Sequence, residues 1–149
     1  MANAKTSAEI QSLSNELIGQ FRAIVGGQHV LSDEEQRHEY GHDKTEDYQF
    51  LPDLVLKPGT PEEISSILKI CNEYHIPVTP RGAGTGLSGG ALPVKKGVVI
   101  SMERFNKIIE IDELNLQATV EPGVITEIFQ NAVKAKGLFY PPDPASRGS

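Results

Sequence analysis

Cysteine occurs once in the 149 residues, at Cys71, so no internal disulfide can form and a reducing compartment is implied. Long apolar runs are also lacking. Nothing approaches the ~20 residues a membrane-spanning helix needs, and the N-terminus, MANAKTSAEIQSL, has no uninterrupted apolar stretch of the kind a signal peptide carries. A cytoplasmic protein is therefore expected. Positive charge is in deficit: 14 Lys+Arg against 20 Asp+Glu give a net charge of −6 and a pI near 5.2. That balance excludes a nucleic-acid surface, which depends on Lys and Arg neutralising phosphates; the negative charge itself serves solubility. No repeat or low-complexity segment occurs. Acidic residues are themselves absent from Tyr74 to Met102, a stretch that contains Arg81, Lys95 and Lys96.

What is present is ordinary for a soluble protein, with 38% hydrophobic and 23% charged residues in a chain long enough for one domain or two small subdomains. The exception is PRGAGTGLSGGA, Pro80 to Ala91, with five glycines in the eleven residues from Arg81. Such density marks positive-φ turns or a ligand pressed against bare main chain, and successive exposed N–H groups form a concave anion site. Set in acid-free surroundings beside Arg81, the loop suits a phosphate-bearing ligand. A mobile connection between two subdomains is the competing structural reading.

Along the chain, Ile10, Leu13, Leu17, Phe21 and Ile24 recur at helical spacing behind a Thr6/Glu9 capping box, and Gly26-Gly27 ends that helix. Ser32 and Glu35 repeat the signature, predicting a short helix to about Tyr40 that Gly41 stops. His42–Asp53 reads as a connection. Asp53–Lys57 reads as a strand, and a helix follows with Thr60 as cap, Pro61 at its first position and Glu63 completing a capping box. Ile64, Ile67, Leu68 and Cys71 share its apolar face, so Cys71 is expected to pack in the core. Pro77–Pro80 forms a second strand, giving a βαβ unit with the glycine loop at the carboxyl end of that strand, where open α/β sheets bind ligands. Gly97–Met102 is a further strand. Ile109/Ile111 and Leu116/Ala118/Val120 alternate as a hairpin around Asp112–Asn115. Ile125, Ile128, Phe129 and Ala132 define a last helix closed by Gly137. The proline-rich end, Leu138–Ser149, stops in mid-loop and reads as a cut chain.

Two motifs have simpler readings. Gly84-x-Gly86-x-x-Gly89 fits the dinucleotide fingerprint, but a Rossmann site needs a helix opening at the loop, and Gly90, Pro93 and a strand follow instead. A Walker loop fails because Gly89 precedes Gly90-Ala91 and not a Lys-Ser/Thr pair. His38-Glu39-Tyr40-Gly41-His42 matches H-E-x-x-H, yet zinc chemistry needs both histidines on one continuous helical face. Gly41 lies inside the motif, so a solvated helix end is expected there, with no metal.

PDLVLKPGTPEEISSILKICNEYHIPVTPRGAGTGLSGGALP, VVISMERFNKIIEID, VEPGV and GLFYPPDPAS together resemble the N-terminal flavin-binding part of the FAD-linked 2-hydroxyacid oxidases and dehydrogenases. These include glycolate oxidase flavoprotein subunits, D-lactate dehydrogenases and D-2-hydroxyglutarate dehydrogenases, of the vanillyl-alcohol-oxidase type. The similarity runs from about Ser32 to Ser149. It implies an α+β FAD-binding fold of two small α/β subdomains, the second truncated: residues 1–50 as a helical extension, 51–93 as the first subdomain and 94–149 as the start of the second. It further implies that Arg81, Gly82, Ala83, Gly84, Thr85, Gly86, Leu87 and Ser88 wrap the FAD pyrophosphate, and that Pro142 and Asp143 run past the flavin. Relatives that tether FAD through this loop carry a histidine where this chain has Thr85, so non-covalent FAD is implied. The substrate domain of such enzymes, with its catalytic and metal-binding residues, is not in this chain, so no catalytic residue is assigned here. The expected activity, in the whole protein, is oxidation of a small 2-hydroxy acid by hydride transfer to FAD, with a separate electron acceptor; the fragment alone is expected to be inactive. The rival functions are another reaction on the same flavin fold, of the cell-wall precursor reductase type, a non-enzymatic nucleotide-binding module, and the metalloprotease that HEYGH suggests.

Overall fold

A computed structural model describes residues 13–45 and 47–149. The expected Thr6/Glu9 capping box and Ile10 lie outside them. The described first helix, α1, spans Asn15–Val25 and is capped by Ser14, whose hydroxyl accepts from the Leu17 N–H at 3.2 Å. A 3-10 turn at Gly27–His29 leads to a two-residue strand, β1 (Val30–Leu31), that periodicity did not predict. Helix α2 (Glu34–His38) is shorter than expected, and its N-cap is Asp33, without the side-chain cap predicted from Ser32 and Glu35. Then come β2 (Leu54–Leu56), α3 (Pro61–Glu73), β3 (Val78–Arg81), β4 (Val98–Ser101), the pair β5 (Ile108–Asp112) and β6 (Gln117–Val120), and α4 (Thr126–Ala135).

Four strands make one sheet in the order β1-β2-β4-β3. Strand β4 lies parallel to both β2 and β3, and β1 pairs antiparallel with β2. The predicted βαβ unit, β2-α3-β3, is present, but β4 inserts between its two strands. The residues of the inner and edge strands suit this order. LVL and VVIS are buried throughout, as inner parallel strands must be. VTPR contains Pro80, which has no N–H to give a ladder and so belongs on an edge. The sheet therefore takes β1 from before residue 51 and β4 from after residue 93, across both subdomain boundaries expected from sequence.

Strand alternation divides the core. Leu54, Leu56, Val98 and Ile100 face one way and pack with Phe21 and Val25 of α1 and Ile67 and Cys71 of α3. Val55 and Val99 face the other way, against Tyr40 and Leu31. Full burial of each such side chain stabilises the fold by about 1.5–3 kcal/mol. Leu68, expected on the buried face of α3, is exposed; the helix meets α1 and the sheet along a narrower stripe through Ile67 and Cys71. Burial pushes the Cys71 thiol up to about 11, which fits packing and not reactivity. At the start of α3 the Thr60 hydroxyl accepts from the Glu63 N–H at 3.2 Å, while the Glu63 carboxylate accepts from the Gly59 N–H at 2.6 Å, one residue before the expected partner.

The β5–β6 hairpin forms its own two-stranded sheet, turned by Asp112, whose carboxylate accepts from the N–H groups of Leu114 and Asn115. Helix α4 lies beside it, and Phe129 meets Tyr140 edge to face at 4.9 Å. Between them runs an open apolar groove lined by Ile111, Ala118, Val120, Phe129, Val133 and Leu138. No helix among the described residues is long and apolar enough to cross a membrane.

Candidate functional site

Parallel strands β2, β4 and β3 end on the same side of the sheet, and the groups that leave those ends build the site: Lys57 after β2, Ser101 and Glu103 at β4, Arg81 and the glycine loop after β3. No helix opens at the loop. The chain passes through turns directly into β4, which removes the helix N-terminus a Rossmann site requires.

Among the described residues, the backbone N–H groups of Gly82, Ala83, Gly84, Thr85, Gly86, Leu87 and Ser88 donate to no protein acceptor. Successive N–H groups left without a protein partner on an exposed loop can form an anion-binding concavity. The glycines differ in what they permit. Gly84 has φ +70°, and a Cβ there would stand 2.6 Å from Arg81 Cζ. Gly82 and Gly86 have nothing within 4 Å of a Cβ, so the space beside them is open to a ligand. Backbone need dictates the first position, whereas close approach of another molecule is the available reason for the others.

Arg81 is buried beneath this loop and does not project from it. Its Nη1 donates to the His42 carbonyl at 2.6 Å and its Nη2 to the Glu39 carbonyl at 3.3 Å, and its guanidinium lies 5.6 Å from the Tyr40 ring centroid. Burial lowers its pKa, opposed by the charges of Tyr40, Asp43 and Glu103. Its charge is thus supplied from under the loop, while its donors hold the chain at residues 39–42.

Beside the loop, Tyr40 Oη donates to Glu103 Oε1 at 2.6 Å, Lys57 Nζ meets Glu103 Oε2 at 2.8 Å, and the Ser101 hydroxyl donates to Oε1 at 2.9 Å. Burial would raise the Glu103 pKa, but these three partners outweigh it and the carboxyl titrates below its ordinary value. Burial and the Glu103 contact raise that of Tyr40; Lys57, lowered by burial, is raised overall by Glu103 and Tyr40. Glu103 also lines a cavity of about 500 Å³, with Gly82 and Ala83 on one wall and Pro122–Ile125 and Ile128 on the other. The cavity runs from the start of the glycine loop to the turn before α4.

The sequence-derived site divides in two. Residues Arg81–Ser88 form one continuous loop. Pro142 and Asp143 lie elsewhere, against α4: the Pro142 carbonyl accepts from Gln130 Nε2 at 2.7 Å, and Asp143 pairs with Arg147 at 2.9 Å. Neither lines the cavity beside Gly82; Ser149 does. Helix α2 ends at His38, which contacts Gln49, while His42 lies beyond it, so the H-E-x-x-H histidines do not share a helical face. Among the described residues no three His, Cys, Asp or Glu side chains group as metal ligands. Sequence reasoning missed the wall at Pro122–Ile125 and the floor at Glu39–Thr45. Pro122-Gly123 after a strand and the Asp43-x-Thr45 turn pattern were their available signals.

Residues 52–149 match the family model described as "FAD binding domain". The chain belongs to that FAD-binding family. The glycolate oxidase subunit GlcD of Bacillus subtilis (strain 168) is 53% identical over 107 residues, covering 72% of this chain and 23% of the relative. D-lactate dehydrogenase of Anaerostipes hadrus is 34% identical over 140 residues, covering 93% and 29%. Among solved structures, p-cresol methylhydroxylase with substrate bound superposes with a TM-score of 0.75 at 30% identity, over 83% of this chain and 25% of that one. The FAD-binding domain is thus α+β and of the vanillyl-alcohol-oxidase type, and FAD is its cofactor. It spans about a quarter of the length of the curated relatives it matches. The unpaired amides, the open glycine positions and the adjoining cavity fit an FAD pyrophosphate.

Proposed function

We propose that this FAD-binding domain is the N-terminal part of a flavin-dependent oxidoreductase that oxidises a 2-hydroxy acid of the glycolate or D-lactate type. The observation that carries the proposal is the row of amides from Gly82 to Ser88, without a protein acceptor among the described residues, in a chain 53% identical over 107 residues to a glycolate oxidase subunit. When bound, FAD supplies the redox chemistry by accepting hydride from the substrate. The chain's own residues bind and orient. The N–H groups of Gly82–Ser88 hold the pyrophosphate, and Arg81 beneath them offsets its charge. Gly82 and Gly86 admit the ligand to the main chain, and the cavity between Gly82 and Pro122–Ile125 receives the portion next to the pyrophosphate. Thr85 has no ring nitrogen to bond a flavin, so the cofactor is held without a covalent link. Pro142 and Asp143 border the flavin end, on the α4 side.

The substrate site, the catalytic residues and the contact with an electron acceptor belong to a further domain of the whole protein, which acts in the cytoplasm. Within this chain the two flavin-binding parts divide after β4, with β1 contributed by the N-terminal extension. The test is anaerobic addition of glycolate and of D-lactate to the whole flavin-loaded protein. Bleaching of the yellow flavin absorbance by either acid supports the proposal; an unchanged spectrum with both refutes the substrate class.

A further inference from the structure

The turn Glu39–Thr45 precedes the matched residues 52–149, yet it is tied to the glycine loop at four points. Arg81 donates to the carbonyls of His42 and Glu39, the Lys44 N–H donates to the Gly86 carbonyl at 3.1 Å, and the Gly89 N–H donates to Thr45 Oγ1 at 2.8 Å. Behind Thr45 sits Asp43, 7% exposed, whose Oδ1 accepts from the Thr45 N–H at 2.8 Å. The Ala91 N–H favours the charged form of the same carboxylate, whose Oδ2 is buried with no hydrogen-bond partner among the described residues. Burial would raise the Asp43 pKa, but Thr45, Ala91 and the Arg81 charge together lower it, so an anchored carboxylate backs the loop.

These contacts take up Gly86 O and Gly89 N, and among the described residues they leave the seven N–H groups of Gly82–Ser88 without a protein acceptor. A glycine-rich loop without such ties would lose much backbone freedom on binding an anion. One that is already held loses less, which is how preorganisation strengthens affinity.

We propose that Glu39–Thr45 is a positioning element for the pyrophosphate loop, and that Thr45 is the residue through which it fixes the Gly89 end. The inference rests on the FAD reading above. It concerns affinity and not chemistry, since Thr45 acts through the Gly89 N–H and Asp43 through the Thr45 N–H.

Amide hydrogen exchange and FAD titration of the labelled chain, both read by NMR, test it. In the wild-type chain without FAD, the Gly89 and Lys44 amides are expected to be protected and those of Gly82–Ser88 to exchange freely. Unprotected Gly89 and Lys44 amides would overturn the proposal without any variant. Thr45→Val keeps the shape and removes the acceptor. It should speed exchange at Gly89, leave the Val98–Ser101 amides protected, and raise the FAD Kd about fivefold, as loss of one neutral hydrogen bond does. Thr45→Ser should restore both values. Equal FAD affinity in wild type and Thr45→Val overturns the positioning role alone. Absence of any FAD-induced shift in the wild-type chain overturns the FAD reading instead, and the exchange data still decide whether the turn holds the loop.

Discussion

Two glycines two residues apart, Gly84 and Gly86, should respond oppositely to the same substitution. Gly84→Ala places a Cβ at φ +70°, where it overlaps the buried Arg81 guanidinium. The left-handed backbone alone costs an L-residue about 1–2 kcal/mol. Arg81 cannot move aside freely, because it is hydrogen-bonded to the His42 and Glu39 carbonyls, and weakening one such charged bond costs about 1.5–3 kcal/mol. Together these give an expected stability loss of about 2.5–5 kcal/mol, measured by urea unfolding of the chain. Gly86→Ala meets nothing within 4 Å and lies outside the positive-φ glycines. Its stability should stay within about 0.5 kcal/mol of wild type or rise slightly, since alanine restricts the unfolded chain. Its FAD affinity should fall about tenfold or more, because displacing the pyrophosphate from even one amide removes a charge-assisted bond of about 1.5–3 kcal/mol. Affinity is read from FAD titration by NMR, which tolerates weak binding. A Gly86→Ala chain that binds FAD as well as wild type, or a Gly84→Ala chain as stable as wild type, would refute this account of the two positions.

The Glu103 cluster predicts a pH dependence. Glu103 titrates below its ordinary 4.5 in the folded chain, so its stabilisation is complete above that value and is lost as pH falls through the lowered one. Lys57, raised from 10.5, contributes fully below that pH and loses its contribution as pH rises through the higher value. Glu103→Gln should flatten the acid limb of a stability-pH curve; an unchanged limb would count against the cluster. In the core, Ile67→Ala should destabilise by about 2–5 kcal/mol in the same urea assay, since Ile67 is fully buried between α1 and the sheet. Cys71 should react slowly with a thiol reagent at pH 8 in the folded chain and fast in urea, given its burial and a pKa near 11.

What sequence could reveal here depended on the range of the interactions involved. Helix α3 was legible because Thr60, Pro61 and Glu63 act within one turn, and the hairpin because Asp112 organises its own neighbours. Strand β4 was legible as a strand but not in its place, since order in a parallel sheet is set by contacts between segments more than forty residues apart, as with Leu54 and Val98. Strand β1, two residues long, is too short for any periodicity. The glycine loop was legible from composition, and the same composition misleads as a Rossmann fingerprint until the strand after it is considered. Arg81 was expected as a charge beside the ligand. Its burial, and its grip on His42 and Glu39, come from a packing partner about forty residues earlier that no local pattern announces. Pro142 and Asp143 entered through family resemblance, and the structure sets them on the α4 side, away from the cavity at Gly82.

The central claim is that the amides of Gly82–Ser88 hold the pyrophosphate of FAD. Its most direct test is parallel NMR titration of the labelled chain with FAD and with riboflavin, which carries the same flavin ring but no pyrophosphate. The account predicts that FAD shifts the amide resonances of Gly82–Ser88 and that riboflavin leaves them in place. Equal shifts from riboflavin, or FAD shifts that spare the loop and centre on the apolar groove between the hairpin and α4, would contradict it.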